Sequence, residues 1–174
     1  TPAACATADL GCKGRRHSCR DNRPAARLAE SRNRRSAPGT AVTGNRTGSV
    51  VITPDEVPGI IDELPAIGAL AAHGGEVSVS GAAELRVKES DRISVLVTGL
   101  RALGLEADER PDGFVVRGSG AHAGGVAHAR GDHRMAMAFA IAGLAARGPC
   151  RIEGAEIVAI SYPGFFDTLQ RLVA

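Results

Sequence analysis

The chain has 174 residues, of which 44% are hydrophobic and 23% charged, and its formal net charge is +2. This length is enough for one domain, or for one domain with a tail. The sequence contains no run of about 18 apolar residues, which excludes a transmembrane helix. It also lacks the charged-then-apolar N-terminal pattern of a secretion signal, so we expect a cytoplasmic protein.

The composition changes near residue 48. The first 50 residues carry ten basic and three acidic side chains, whereas residues 51–174 carry eleven basic and sixteen acidic ones. Residues 1–47 include only three large aliphatic side chains, Leu10, Leu28 and Val42. A segment so poor in apolar groups cannot offset its chain entropy. We therefore predict a basic tail over 1–47, disordered or foreign to the protein, and a folded region over 48–174.

The basic tail also raises the possibility of a nucleic-acid-binding or other non-catalytic anion-binding fragment. It carries basic runs at 13–16 and 32–35 but no recognisable binding motif. The chain has no Trp and one Tyr, which argues against a surface on which bases stack. The four cysteines, at positions 5, 12, 19 and 150, match neither a C-x-x-C redox motif nor a zinc site.

The first half of the folded region predicts strands and helices in alternation. Residues 49–52 are typical of a buried strand, and Thr53 and Pro54 then cap a helix over 57–72 that stops at Gly74. A second strand is predicted over 76–80 and an amphipathic helix over 90–103. A hairpin over 106–117 follows, with its turn at 111–113.

The second half repeats part of this order. A glycine-rich loop leads to a helix over 134–146, a strand over 150–157 and a last helix that begins at Pro163. The predicted order is βαβαββ followed by most of another βαβα. Because helix, strand and helix recur about 75 residues apart, the sequence predicts a two-layer α/β fold built from a repeated unit.

Two clusters of charged residues each lie where a predicted helix begins. The first is Arg86-Val87-Lys88-Glu89-Ser90-Asp91-Arg92, where Ser90 or Asp91 caps the helix. The second is Gly131-Asp132-His133-Arg134, with Asp132 as the cap. Free backbone N–H groups and nearby guanidinium groups attract carboxylates and phosphates. The alternative is a pair of capped helices with surface ion pairs.

A third candidate is an acidic pair, Asp62 and Glu63, inside an apolar stretch. Pro65 loosens the helix there and allows either acid to face a ligand, although such acids are commonly just solvated. A metal site at His122, His128 and His133 is disfavoured because their spacing is not typical of ligands.

Four motifs together resemble the 5-enolpyruvylshikimate-3-phosphate synthase family. They are Ile61-Asp62-Glu63-Leu64-Pro65, Leu85-Arg86-Val87-Lys88-Glu89-Ser90-Asp91-Arg92-Ile93, Asp132-His133-Arg134-Met135-Ala136-Met137 and Ser161-Tyr162-Pro163-Gly164-Phe165-Phe166. The resemblance implies the enolpyruvyl transferase fold, in which each of two similar domains contains three βαβαββ units and the site lies between the domains. This chain would hold about two units of one domain.

The resemblance implies transfer of the enolpyruvyl group of phosphoenolpyruvate to the 5-hydroxyl of shikimate 3-phosphate. Asp62 would hold and deprotonate that hydroxyl, and Glu89 would exchange the proton at C3 of the enolpyruvyl group. The implied substrate-binding residues are Asp62, Lys88, Arg92, His133 and Arg134. No metal or organic cofactor, nucleic acid or membrane is implied, and the full-length protein is expected to be a monomer.

The chain departs from the family pattern in two ways. Family members are far longer, and their other domain supplies further cations, so we expect this chain alone to be inactive and only marginally stable. Ile160 stands where some members have a lysine, which removes one expected phosphate contact. The alternative enzyme is the related transferase that acts on UDP-N-acetylglucosamine, although the Lys-Glu-Ser-Asp-Arg and Asp-His-Arg-Met-Ala pairing favours the shikimate enzyme.

Overall fold

Two β-sheets and five α-helices make up the part of the chain that the computed structural model describes, which is Ala8–Leu10 and residues 48–173. The strands are β1 (Ala8–Leu10), β2 (Ser49–Ile52), β3 (Gly75–Val79), β4 (Glu106–Arg110), β5 (Gly113–Gly118), β6 (Gly125–His128) and β7 (Cys150–Glu153). The helices are α1 (Val57–Ile60), α2 (Leu64–Leu70), α3 (Arg92–Ala102), α4 (His133–Gly143) and α5 (Phe165–Val173). Short 3-10 helices cover Ala71–His73, Ala83–Val87 and Ala155–Ile160.

The sheets confirm the predicted βαβαββ unit. The four-stranded sheet has the order β2-β3-β5-β4, with β2 and β3 parallel and the other pairs antiparallel. In the three-stranded sheet, β7 lies between β1 and β6, parallel to β6 and antiparallel to β1. A second unit therefore begins with β6, α4 and β7, of which the sequence predicted the helix and the second strand.

The core lies between the helices and the two sheets. Leu64 of α2, Leu96 of α3, Phe114 of β5 and Phe139 of α4 are all fully buried. Helices α3 and α4 approach closely because Gly99 faces the ring of Phe139, where a Cβ atom would lie 2.2 Å from Cζ. This contact sets the distance between the two helices whose first residues form the candidate site.

The C-terminal end of α4 is held by two histidines from other parts of the chain. Nε2 of His73 lies 3.0 Å from the carbonyl oxygen of Ile141, and Nε2 of His122 lies 2.9 Å from that of Ala142. Nδ1 of His122 faces the carbonyl of Leu103 at 2.7 Å. Helix α4 has no basic residue in its own last turn, so these rings satisfy carbonyl groups that the helix leaves free.

The predicted helix over 57–72 is wrong as a single helix. It is interrupted at 61–63, between α1 and α2. In a continuous helix, the ring of Pro65 would clash with the carbonyl of Ile61, whereas in the first turn of α2 its missing N–H is no loss. Thr53 is also not the cap, because α1 begins at Val57 with Glu56 preceding it.

Two further expectations differ from the structure. The strand predicted over 150–157 ends at Glu153, because Gly154 has a φ of 78° and turns the chain into a 3-10 helix. Strand β6 lies in the segment predicted as a glycine-rich loop. Its four residues offer no alternating apolar pattern, and their pairing with β7 is settled by the tertiary fold.

The remaining predicted elements are confirmed in position, with ends that move by no more than three residues. The burial predicted for the strand over 49–52 is wrong, because three of the four residues of β2 are exposed at the edge of the sheet. The hairpin forms from β4 and β5, and α3, α4 and α5 lie where expected. Within the predicted tail, Ala8–Leu10 form a strand paired with β7. The rest of the predicted tail lies outside the described residues. No helix in the described part is long and apolar enough to cross a membrane.

We predict that Gly99→Ala lowers the free energy of unfolding by about 1–3 kcal/mol, since the added methyl overpacks the buried contact with Phe139. Chemical denaturation of the whole chain measures this. Gly59→Ala is the matched control, because nothing lies within 4 Å of its added methyl. It should leave stability unchanged or raise it by up to about 1 kcal/mol. Equal effects of the two variants would contradict the close packing of α3 on α4.

Candidate active site

Three carboxylates surround the guanidinium of Arg92, the first residue of α3. Nε donates to Asp132 Oδ2 at 2.8 Å, Nη1 to Asp62 Oδ1 at 3.0 Å and Nη2 to Glu89 Oε2 at 2.5 Å. We call these four residues the Arg92 cluster. It joins the interruption between α1 and α2 to the first turns of α3 and α4, so all three sequence candidates meet at one place.

Local capping explains why the two helices begin beside each other. The Asp91 carboxylate accepts a hydrogen bond from the Ser94 N–H and starts α3. The Asp132 carboxylate accepts one from the Arg134 N–H at 2.9 Å and starts α4. Of the two predicted caps for the first helix, Asp91 is therefore correct and Ser90 is not. Each of these caps satisfies one of the N–H groups that the first turn of a helix leaves without a partner.

Asp132 is the most deeply held member of the cluster. Its side chain is 0% exposed, and its oxygens accept from Arg92 Nε, the Arg134 N–H and Ser90 Oγ. Burial alone raises the pKa of this carboxyl, but the charge and hydrogen bond of Arg92, with the other two donors, outweigh burial and bring the pKa below its ordinary value. Asp132 is therefore a stable anion inside the fold.

Arg92 is buried to the same degree, with 1% of its side chain exposed. Burial lowers the pKa of the guanidinium, yet the hydrogen bond and charge of Asp132, together with Glu89 and Asp62, raise it above its ordinary value. Every nitrogen of the group donates to a carboxylate. In this arrangement Arg92 organises the acidic residues, and the second N–H of each Nη atom is closed off from solvent because the side chain is 1% exposed.

Asp62 lies in the interruption between α1 and α2 and is 44% exposed. A second guanidinium, that of Arg134, holds the same residue: Nη1 donates to the Asp62 carbonyl at 2.8 Å, and Nη2 lies 3.5 Å from Oδ2. The Glu63 carboxylate makes a longer contact, with its Oε1 atom 3.8 Å from Arg134 Nη1. Two arginines thus fix the Asp62 carboxylate while leaving it open to solvent.

Lys88 and Glu89 lie on the exposed side of the cluster. Lys88 Nζ is 2.6 Å from Glu84 Oε1, and this hydrogen bond raises the pKa of the ammonium, with a smaller contribution from the charge of Asp62. Glu89 is 55% exposed and contacts Arg92. The structure therefore brings Asp62, Lys88, Glu89, Arg92 and Arg134 to one surface of the fold.

Arg86 does not belong with these residues, contrary to the anion-binding interpretation of the whole 86–92 segment. Its guanidinium donates to Asp91 and Glu109 and to two backbone carbonyls, those of Arg110 and Pro111. These contacts attach the start of α3 to the β4–β5 hairpin. The role of Arg86 is structural, because its donors are already used within the fold.

The other candidates lie at the margin or elsewhere. His133 is half-buried at the start of α4, next to the capping Asp132. Ile160 is exposed at the end of the 3-10 helix Ala155–Ile160. Among the described residues, no group of three His, Cys, Asp or Glu side chains is placed to hold a metal ion.

Sequence reasoning identified Asp132 as a helix cap but missed its ion pair with Arg92, and it missed the hydrogen bond from Ser90. Neither contact can be predicted from a local sequence pattern, because Arg92 and Ser90 lie 40 and 42 residues from Asp132 along the chain. Only the recurrence of an acid followed by an arginine at two helix starts pointed to a shared site.

A family model for EPSP synthase (3-phosphoshikimate 1-carboxyvinyltransferase) matches residues 34–169. This chain belongs to the EPSP synthase family. The match begins 14 residues before the boundary predicted at residue 48, and it includes every residue of the Arg92 cluster. The predicted family resemblance and the enolpyruvyl transferase fold are confirmed.

Relatives agree with this assignment. The chain is 46% identical over 124 residues to the 3-phosphoshikimate 1-carboxyvinyltransferase of Sulfurihydrogenibium sp., covering 71% of this chain and 29% of the relative. It is 54% identical over 115 residues to the enzyme of that name from Xanthomonas campestris, covering 66% and 26%. A solved EPSP synthase from Acinetobacter baumannii is 42% identical with a TM-score of 0.68, covering 75% of this chain and 31% of that one.

The chain therefore spans less than a third of the length of these EPSP synthases. It contains one complete βαβαββ unit, the beginning of a second, and the charged residues around Arg92.

We predict that Asp132→Asn lowers the free energy of unfolding by about 3 kcal/mol, because it leaves the buried guanidinium of Arg92 without its buried counter-ion. Asparagine keeps an oxygen for the helix cap, so the loss reports on the ion pair. Urea denaturation measures it. Glu63→Gln, which changes the same charge at a side chain 61% exposed, should shift stability by less than about 0.5 kcal/mol.

The same pair predicts a pH dependence. The pKa of Asp132 in the folded state lies below its ordinary value of 3.8, so acid protonates this group in the unfolded chain first. The stabilisation is complete above that ordinary value and is lost as the pH falls through the folded-state pKa. The stability of Asp132→Asn should therefore fall less steeply than that of the wild type below about pH 4. Parallel curves would rule out Asp132 as the group responsible.

Proposed function

We propose that this chain forms part of an enzyme that transfers the enolpyruvyl group of phosphoenolpyruvate to the 5-hydroxyl of shikimate 3-phosphate. The observation that carries the proposal is the Asp62 carboxylate, fixed by Arg92 and Arg134 and still 44% exposed. A carboxylate that is oriented and open to a ligand suits a general base. Membership of the EPSP synthase family supports the choice of substrates.

In the proposed reaction, Asp62 accepts the proton of the 5-hydroxyl as the hydroxyl oxygen bonds to C2 of phosphoenolpyruvate. Glu89, once it has taken a proton from solvent, delivers that proton to C3 in the same addition and takes one back when the bond from C2 to the phosphate oxygen breaks. The proton held by Asp62 then leaves with the phosphate. Asp62 and Glu89 are both bonded to the guanidinium of Arg92, which brings the two carboxylates to the same place in the fold. Bringing the reacting groups together is a large part of catalysis between two bound reactants.

The cations of the site would bind the two anionic substrates. Lys88 is exposed enough to reach a phosphate, and its raised pKa keeps it charged. Arg134 has a third of its side chain exposed beside Asp62, with His133 next to it in the first turn of α4. We propose that Lys88 and Asp62 contact shikimate 3-phosphate, and that Arg92, Arg134 and His133 surround phosphoenolpyruvate.

The charge balance indicates that the described residues are only one side of the site. Around Asp62, four carboxylates outnumber three cations, where the carboxylates are Asp62, Glu63, Glu89 and Asp132 and the cations are Lys88, Arg92 and Arg134. Two substrates that each carry several negative charges need more positive charge than this. We propose that the rest of a full-length enzyme supplies it, and that this enzyme works as a cytoplasmic monomer.

We predict that the purified chain alone does not release phosphate from a mixture of shikimate 3-phosphate and phosphoenolpyruvate, because one side of the site is not enough to bind both. A phosphate assay with each substrate omitted in turn measures this. Phosphate release that requires both substrates would contradict the prediction and would show that the chain is a sufficient enzyme.

A chimera tests the reaction itself. Replacing the matched segment of the Xanthomonas campestris relative with residues 48–174 of this chain should give an enzyme that makes the enolpyruvyl product. In that chimera we expect Asp62→Asn to lower kcat by about 10²–10⁴-fold, as loss of a general base does. Glu63→Gln, one position along, should change kcat by less than about threefold. An active Asp62→Asn chimera would remove Asp62 from the proposed role.

A further inference from the structure

The three carboxylates on Arg92 are held with unequal firmness. Asp132 is fully buried and accepts from two other donors, and Asp62 is also held by Arg134. Glu89 is 55% exposed, and within residues 48–173 Arg92 is its sole hydrogen-bond or ion-pair partner. Among the three, Glu89 loses the fewest interactions if it leaves the guanidinium.

An incoming anion cannot simply add to this cluster. Each Nη atom of Arg92 carries a second N–H, but only 1% of the side chain is exposed, so a ligand has no access while all three carboxylates are in place. A fourth anion would also place four negative charges around one buried cation. Electrostatics therefore favour exchange of one carboxylate for another over addition, since exchange leaves the charge on Arg92 balanced.

We infer that the carboxylate of phosphoenolpyruvate binds by displacing Glu89 from Nη2 of Arg92. This inference rests on the proposed function, which supplies the ligand. The planar guanidinium offers the incoming carboxylate the same donor that Glu89 had, and Asp132 and Asp62 hold the guanidinium in position during the exchange.

The displacement links binding to chemistry. Before binding, the Glu89 carboxylate is held on the guanidinium of Arg92. After exchange it lies free beside the ligand that has replaced it, where it can carry the proton to and from C3. The internal ion pair thus keeps Glu89 inactive until its substrate arrives.

Alternative exchanges are less favourable. Displacing Asp62 breaks its contact with Arg134 as well and frees the proposed base. Displacing Asp132 removes the cap of α4 and leaves a buried guanidinium without its buried partner. Glu89 lies in the segment just before α3 and outside any helix, so its backbone does not oppose the movement.

The test measures the Kd of phosphoenolpyruvate for the whole chain by NMR titration of its amide signals. If Glu89 competes with the ligand, Glu89→Gln should bind phosphoenolpyruvate about fivefold more tightly than the wild type, the scale of a partly exposed ion pair. Glu63→Gln removes the same charge near Arg134 without touching Arg92, and it should change the Kd by less than twofold.

Each outcome is informative. Equal gains in Glu89→Gln and Glu63→Gln would show a general charge effect and overturn the displacement. Unchanged or weaker binding by Glu89→Gln, with a wild type that binds, would overturn it while leaving the proposed function intact. No binding by the wild type or either variant at millimolar concentrations would overturn the displacement in this chain, while the activity of the chimera decides separately on the proposed function. If Glu89→Gln fails to fold, Glu89→Ala takes its place with the same expectation.

Discussion

The buried ion pair between Arg92 and Asp132 is the interaction on which the rest of this structure depends. Its two side chains are 1% and 0% exposed, and they come from the first turns of two different helices. A buried ion pair contributes little net free energy of folding, because burying the two charges costs about as much as their attraction returns. Removing one partner is nevertheless strongly destabilising, since it leaves the other charge buried and unpaired. The pair therefore fixes the relative positions of α3 and α4 by making every other arrangement costly.

Everything at the candidate site follows from that constraint. Once Arg92 is fixed through Nε, its two Nη groups point at Asp62 and Glu89, so the two carboxylates proposed to carry protons are oriented by a group that never touches bulk water. Arg134 begins its helix because Asp132 caps it, and the same arginine then reaches the Asp62 carbonyl. One anion thus positions both arginines, one through its side chain and the other through its backbone.

The sequence was informative about elements whose determinants are local. The cap at Asp132, the hairpin turn and the amphipathic pattern of α3 each depend on a few neighbouring residues, and all three predictions are confirmed. For the cap of α3 the sequence left Ser90 and Asp91 open, and the structure has Asp91. Strand β6 was not predicted, because it depends on pairing with β7. The end of β7 was placed too late, because the strand stops where Gly154 adopts a positive φ. Pro65 was only partly informative. It predicted a loosened helix, whereas the structure shows two separate helices with Pro65 in the first turn of the second.

The two ends of α4 are both held by residues from outside the helix. Asp132 and Arg92 fix its first turn, and His73 and His122 hold carbonyl groups of its last turn. A helix advances about 1.5 Å and turns about 100° with each residue. Inserting or deleting a single residue between these attachments would rotate one end against the other, so that the ion pair and the histidine contacts could not form together. The number of residues in α4 is therefore itself a structural requirement, one that substitutions leave untouched and a change of length violates.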